Sequence, residues 1–242
     1  MLTNSSKEES LPLSDLDLDR LVDVANKAVD AAGEIILRHY LARGSTNIAA
    51  EAEKAMISLI LKDLPCHAVC GKQSGWTNCS GTTIPEFVWV WESIDGAEER
   101  LLPTFGTSLA VVHNGKPVIG CIYLVKTRAS ELELAYVDIK GPNYNKDAKY
   151  AYNRLAYKVG ETFFNGNCIA YSELAAGMLQ VVIDCAVKPY GLLGLVPIVE
   201  GAGGIITDWQ GNQLSWQPSP ASSVPRNSFK VVAASDLTTH HR

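Results

Sequence analysis

Two acids three residues apart stand at the end of an aromatic run. Phe87-Val88-Trp89-Val90-Trp91 leads into Glu92-Ser93-Ile94-Asp95-Gly96. Where a buried strand gives way to a loop, acids can point into a cleft, and Gly96 allows close backbone approach. The Glu92 and Asp95 carboxylates and the Ile94 carbonyl could then converge on one hard cation, whose ligands are oxygens. The same residues also suit a solvated turn with a helix cap, and taken alone they leave that choice open.

Two other segments invite a chemical reading. Gly201-Ala202-Gly203-Gly204 looks like a phosphate cradle, but such cradles follow a strand and open a helix. Here the pattern runs from helix to glycines to strand, so a helix C-cap and tight turn is expected. Cys66, His67, Cys70 and Cys79 cluster in sequence, yet their spacing fits none of the usual zinc patterns.

The elements that must position these residues follow from periodicity and punctuation. Ser14 and Asp17 form a capping box, after which Leu21, Val24, Ala25, Ala28, Ala31, Ala32 and Ile35 recur at helical spacing up to about Gly44. A second helix is expected from about Ala50 to Asp63 on a stripe of Ala52, Met56, Leu59 and Ile60. A short buried strand is expected over 67–70, and loop over 71–86. Residues 106–112 and 117–125 read as a hairpin around Asn114-Gly115. Helices are expected at 146–159 and 173–179, and strands at 180–184, 205–207 and 229–233. A largely apolar helix should run from Lys188-Pro189-Tyr190 to about Glu200. Helices and strands mix without a strict βαβ rhythm, which favours a layered α+β fold.

Composition narrows the function classes. The chain has 242 residues, with 47% hydrophobic and 19% charged, enough for a sizeable core in one large domain or two intimately packed halves. A net charge of -5 with no basic stretch argues against nucleic acid and against an anionic membrane surface. No apolar run approaches the ~20 residues of a membrane span. Residues 1–13 read as a disordered lead, polar and acidic, without the marks of a secretory signal or transit peptide. A cytoplasmic location and six reduced, mostly buried cysteines are therefore expected.

Together the segments resemble a known family. Trp89-Val90-Trp91-Glu92-Ser93-Ile94-Asp95-Gly96 is similar to the first signature of the inositol monophosphatase superfamily, W-[ILV]-[IVL]-D-P-I-D-G-T. Lys188-Pro189-Tyr190-Gly191 and Val199 to Trp209 resemble the second. The run from Leu16 to Tyr40 and the Lys-Pro-Tyr tripeptide resemble the plant-type histidinol-phosphate phosphatases within it. The resemblance implies a layered αβαβα sandwich, an N-terminal α+β half over 14–145 and a C-terminal half over 146–242. It implies a homodimer, a small phosphomonoester substrate, and two or three Mg²⁺ ions held between the halves for hydrolysis without a covalent intermediate. It assigns metal ligation to Glu92, Ile94 and Asp95, and substrate contact to Gly96 and Ala97. Plant relatives are plastid enzymes, so a plastid location follows if a precursor segment is missing.

Carried over residue by residue, the resemblance also marks departures. The family's Gly-Glu-Glu loop falls on Gly71-Lys72-Gln73, so an acid is replaced by Lys72. The first Asp of the signature is Glu92, its Pro is Ser93, and its Thr is Ala97. The Asp of the second signature falls on Gly191. An upstream Asp that helps activate the water falls on Ala50, leaving none of the water-activating positions filled. Residues 126–149 look short for the family's middle hairpin.

The four direct ligand positions therefore carry one net negative charge where the pattern would carry four. An ammonium ~4 Å from a dication meets a repulsion of about 4 kcal/mol per unit-charge product at an effective dielectric near 20. A normal two-metal site is not expected, and the phosphatase scaffold is expected with its metal ligands largely lost. The alternative is a catalytically inactive relative that binds or dimerises, with the Lys72 ammonium standing where a metal would and pairing with Glu92 or Asp95.

Overall fold

The structure, a computed structural model, describes residues 13–42, 47–78, 85–95, 104–126, 167–218 and 228–240. The chain opens with α1 (Asp15–Ala42) and α2 (Ile48–Asp63). The Asp17 amide donates to Ser14 Oγ at 3.2 Å, and Ser14 Oγ donates to the Asp17 carboxylate at 2.6 Å, so the expected capping box starts α1. The buried stripe of α1 passes through Leu21, Val24, Ala25, Ala28, Val29, Ala32 and Ile36. Val29 and Ile36 thus take the place expected of Ala31 and Ile35. Gly33 lets this helix lie directly against the Tyr123 ring.

Strands β1 (Ala68–Gly71), β2 (Gly75–Thr77), β3 (Phe87–Asp95), β4 (Thr104–His113) and β5 (Lys116–Lys126) form one sheet in the order β2-β1-β3-β4-β5. β1 runs parallel to β3, and the other pairs are antiparallel. The Asn114-Gly115 turn has both residues at positive φ, as its type requires. β2 corrects the expectation of loop throughout 71–86.

Strand alternation divides the sheet's side chains between two cores. Val69, Trp89, Trp91, Leu109 and Val111 pack under α1 and α2. Ala68, Cys70, Val88, Val90, Ala110 and Val112 face Leu193 and Trp216 from the later chain.

The later chain supplies α3 (Asn167–Ala175), β6 (Val181–Val187), α4 (Pro189–Leu192), α5 (Leu195–Gly201), β7 (Ile205–Asp208), β8 (Phe229–Ala234) and α6 (Leu237–His240). β6, β8 and β7 make a second, antiparallel sheet. Helices α3 to α5 lie between the sheets, joining Tyr171, Leu195 and Val199 to Ile206, Val231 and Ala233. The described residues therefore stack as helix, sheet, helix, sheet, in keeping with the layered α+β class.

The helix expected at 173–179 lies earlier, at Asn167–Ala175. Gly177 stops it at φ 77°, with the Met178 amide reaching back to the Glu173 carbonyl. The same cap closes α5, where the Gly204 amide bonds Val199 and the Gly203 amide bonds Glu200. This is the expected role of the glycine-rich segment. The single helix expected from 188 to 200 is two short ones, α4 and α5. The helix expected at 146–159, the shortened middle over 126–149 beyond Lys126, and the lead up to residue 12 lie outside the described residues. Among the described residues no helix is long and apolar enough to cross a membrane.

Candidate active site

Parallel pairing of β1 with β3 sets the site. Gly71 is the register partner of Trp91, so Lys72 and Glu92 leave the same sheet edge side by side. The Lys72 ammonium donates to Glu92 Oε1 and forms an ion pair with it. The Glu92 side chain is 11% exposed and that of Lys72 29%, so water screens this pair only in part.

Alternation along β3 sends Glu92 and Ser93 to opposite faces. Glu92 points toward α4, where Gly191 stands against it: a Cβ at position 191 would lie 2.7 Å from Glu92 Oε2. Ser108, the β4 register partner of Glu92, donates to the Tyr190 carbonyl at 3.4 Å and ties α4 to the same place. The Tyr190 ring centroid lies 5.8 Å from the Lys72 ammonium.

Ser93 points the other way, onto Glu53 of α2. The Glu53 side chain is fully buried. Its carboxylate accepts from the Gln73 amide at 3.0 Å, the Ser74 amide at 2.7 Å and Ser93 Oγ at 3.2 Å. Gly71 makes room for this clasp, since a side chain there would collide with Glu53 Oε2, Ser74 Oγ and the Trp91 indole nitrogen. That nitrogen is buried with no hydrogen-bond partner among the described residues.

The structure thus brings together three of the positions singled out from sequence: Lys72, Glu92 and Gly191. A register shift between Glu92 and Asp95 turns Ile94 back toward the core under α1 and α2. Asp95 closes β3 opposite Gly106, but its side chain lies outside the described residues, as do Gly96 and Ala97. Ala50 is half-buried in the first turn of α2, about one helical turn before Glu53. Sequence reasoning missed Glu53. The available signal was an acid on the apolar face of α2, at helical spacing from Met56 and Ile60.

The cysteine and histidine cluster does not converge. Cys70 is buried on the face under Leu193, whereas His67 stacks on Phe87 at 4.6 Å and accepts from the Trp89 indole through Nδ1 at 2.9 Å. Cys79 lies outside the described residues.

A pair of divalent cations would not fit what is described here. The Glu92 charge is already met by an ammonium, which offers a cation no donor atom, and Gly191 brings no side chain. Among the described residues, no three His, Cys, Asp or Glu side chains come together as a metal site.

Comparison with known proteins follows the same lines. A model of the inositol monophosphatase family matches residues 17–146. The chain is 35% identical to the chloroplastic bifunctional phosphatase IMPL2 of Arabidopsis thaliana, across 99% of this chain and 78% of that one. That alignment runs over 274 positions, so the relative carries residues that this chain of 242 lacks. A fructose-1,6-bisphosphatase/inositol-1-monophosphatase of Aquifex aeolicus is 22% identical, over 79% of this chain and 86% of its own. The solved inositol monophosphatase of Zymomonas mobilis superposes with a TM-score of 0.70 at 22% identity, covering 93% of this chain and 96% of its own.

Proposed function

The chain belongs to the inositol monophosphatase family, and from that premise we propose that it keeps the phosphatase scaffold but does not turn over phosphomonoesters. The ion pair between Lys72 and Glu92 carries this reading. Family members generally depend on a metal, and the carboxylate that should help hold it is neutralised by a lysine. Without dications, a phosphate dianion entering beside Glu92 meets an ion pair that carries no net positive charge to receive it. The loss of acids at positions 72 and 191, and of side-chain oxygens at 50 and 97, points the same way. The protein then acts as a binding or dimerising relative, in the plastid if it shares the location in its Arabidopsis relative's name.

The second reading is a weak Mg²⁺-dependent phosphomonoesterase, with histidinol phosphate as first candidate and inositol phosphate next. Similarity to a named phosphatase over nearly the whole chain favours it. Phosphate release from both compounds, in millimolar Mg²⁺ and in EDTA, separates the two. The expected result is release at background in both buffers. Turnover that EDTA abolishes would establish the second reading.

A further inference from the structure

We infer that Lys72, Glu92 and Gly191 form one coupled set in which the protein's own ammonium takes the electrostatic place of a divalent ion. The junction between the first sheet and α4 is then held without metal. This rests on the non-catalytic reading above and specifies how its site is built.

Three departures from the family pattern meet at one spot, and each fits the other two. Glutamate at 92 is one methylene longer than the family's aspartate. The space it reaches into is the space a side chain at 191 would occupy, 2.7 Å from Glu92 Oε2. An aspartate at 191 beside this glutamate would crowd two carboxylates together, and the glycine avoids that. The charge left on Glu92 is met by the residue that replaced an acid, Lys72. Losses without compensation would leave a buried carboxylate unpaired, which is strongly unfavourable.

The ammonium is also held in place. A lone surface lysine loses rotamer and loop freedom when it pairs, which is why such pairs contribute little. Here the Glu53 carboxylate binds the amides of Gln73 and Ser74, directly after Lys72, and the hydroxyl of Ser93, directly after Glu92. One buried acid therefore fixes both backbone segments from which the pair projects. Tyr190, with its ring near the ammonium and its carbonyl on Ser108, carries the set across to α4.

The test is a double-substitution cycle on the full chain, read by thermal melting in EDTA and again in millimolar MgCl₂. Lys72→Met and Glu92→Gln should each lower Tm by roughly 5 °C. The double variant should lose clearly less than the sum of the two. The parent should melt at the same temperature in both buffers, whereas Lys72→Glu, which restores an acid, should melt low in EDTA and recover in MgCl₂. Additive single losses, or a parent Tm that climbs with MgCl₂, would overturn the inference. If Lys72→Glu does not fold, the methionine and glutamine cycle still decides. Additive losses without hydrolysis would sink the coupling alone, whereas EDTA-sensitive hydrolysis would sink the non-catalytic reading itself.

Discussion

The two ends of β3 meet the same difficulty in opposite ways. At the start of the strand, Trp89 buries an indole N–H that needs an acceptor, and His67 supplies a neutral imidazole nitrogen. At its far end, Glu92 buries a carboxylate that needs a cation, and Lys72 supplies one. The first end is aromatic: Phe87 lies between His67 and His113, with 4.6 Å between ring centroids on each side, and Glu86 bonds His113 at 3.1 Å. The second end is a clasp of acid, amides and ammonium. One end holds only while its partner is uncharged, and the other only while both partners are charged. The strand is therefore held at both ends only where His67 is neutral while Lys72 and Glu92 are both charged.

The acid end of the strand depends most on Glu53. Glu53→Ala would leave two part-buried amides and the buried Ser93 hydroxyl without their acceptor, for a loss of about 3–5 kcal/mol by chemical denaturation. It should also loosen the 72–74 turn, and amide exchange at Gln73 and Ser74 reads that directly. A loss under about 1 kcal/mol would mean that the clasp is not what sets this end.

Acid should act on the opposite end. Burial pushes the His67 imidazole below its ordinary value of 6.5, against the pull of Glu86 and with the repulsion of Arg20. The unfolded chain therefore takes up this proton first as pH falls. The stability carried by the neutral ring is full above about 6.5 and is lost as pH falls from there toward the lowered folded value. Melts of the parent and His67→Leu across that range should converge toward acid, and parallel curves would remove His67 from the account.

The smallest expected effect is that of Trp89→Phe. It keeps the ring but leaves His67 Nδ1 without its donor, at a cost of about 1 kcal/mol. It should also raise the His67 pKa measured by NMR, because protonation no longer breaks a bond. An unchanged His67 titration would mean that the indole contact does not hold the ring neutral.

What was legible in the sequence follows the range of each signal. The capping box at Ser14, the Asn114-Gly115 turn and the glycine cap after α5 are written within a few residues, and each stands where it was read. The helix at Asn167–Ala175 was placed too late because Gly177 was not recognised as its stop. Lys72 was visible as a positive charge among expected acids, but which acid it meets depends on the parallel register of β1 and β3. Glu53 was marked only as an acid on the apolar face of α2, because the two backbone amides and the Ser93 hydroxyl that it binds are distant in sequence. Their place follows only from how β1, its turn and α2 come together.

The fit between the two halves has a consequence for synthesis. Gly194 packs so closely on Gly120 and on the Leu109 carbonyl that no side chain separates the backbones. Among the described residues, the sheet face of Val88, Val90, Ala110 and Val112 packs on Leu193 and Trp216, with Trp76, Tyr190 and Phe229 against the same cluster. A ribosome releases that face about eighty residues before Leu193 emerges. At about 5–20 residues per second, the nascent sheet waits several seconds or more for that contact. Chaperones that hold emerging chains have their natural opening in that interval, and a chain stalled before residue 193 would be the form most prone to aggregate.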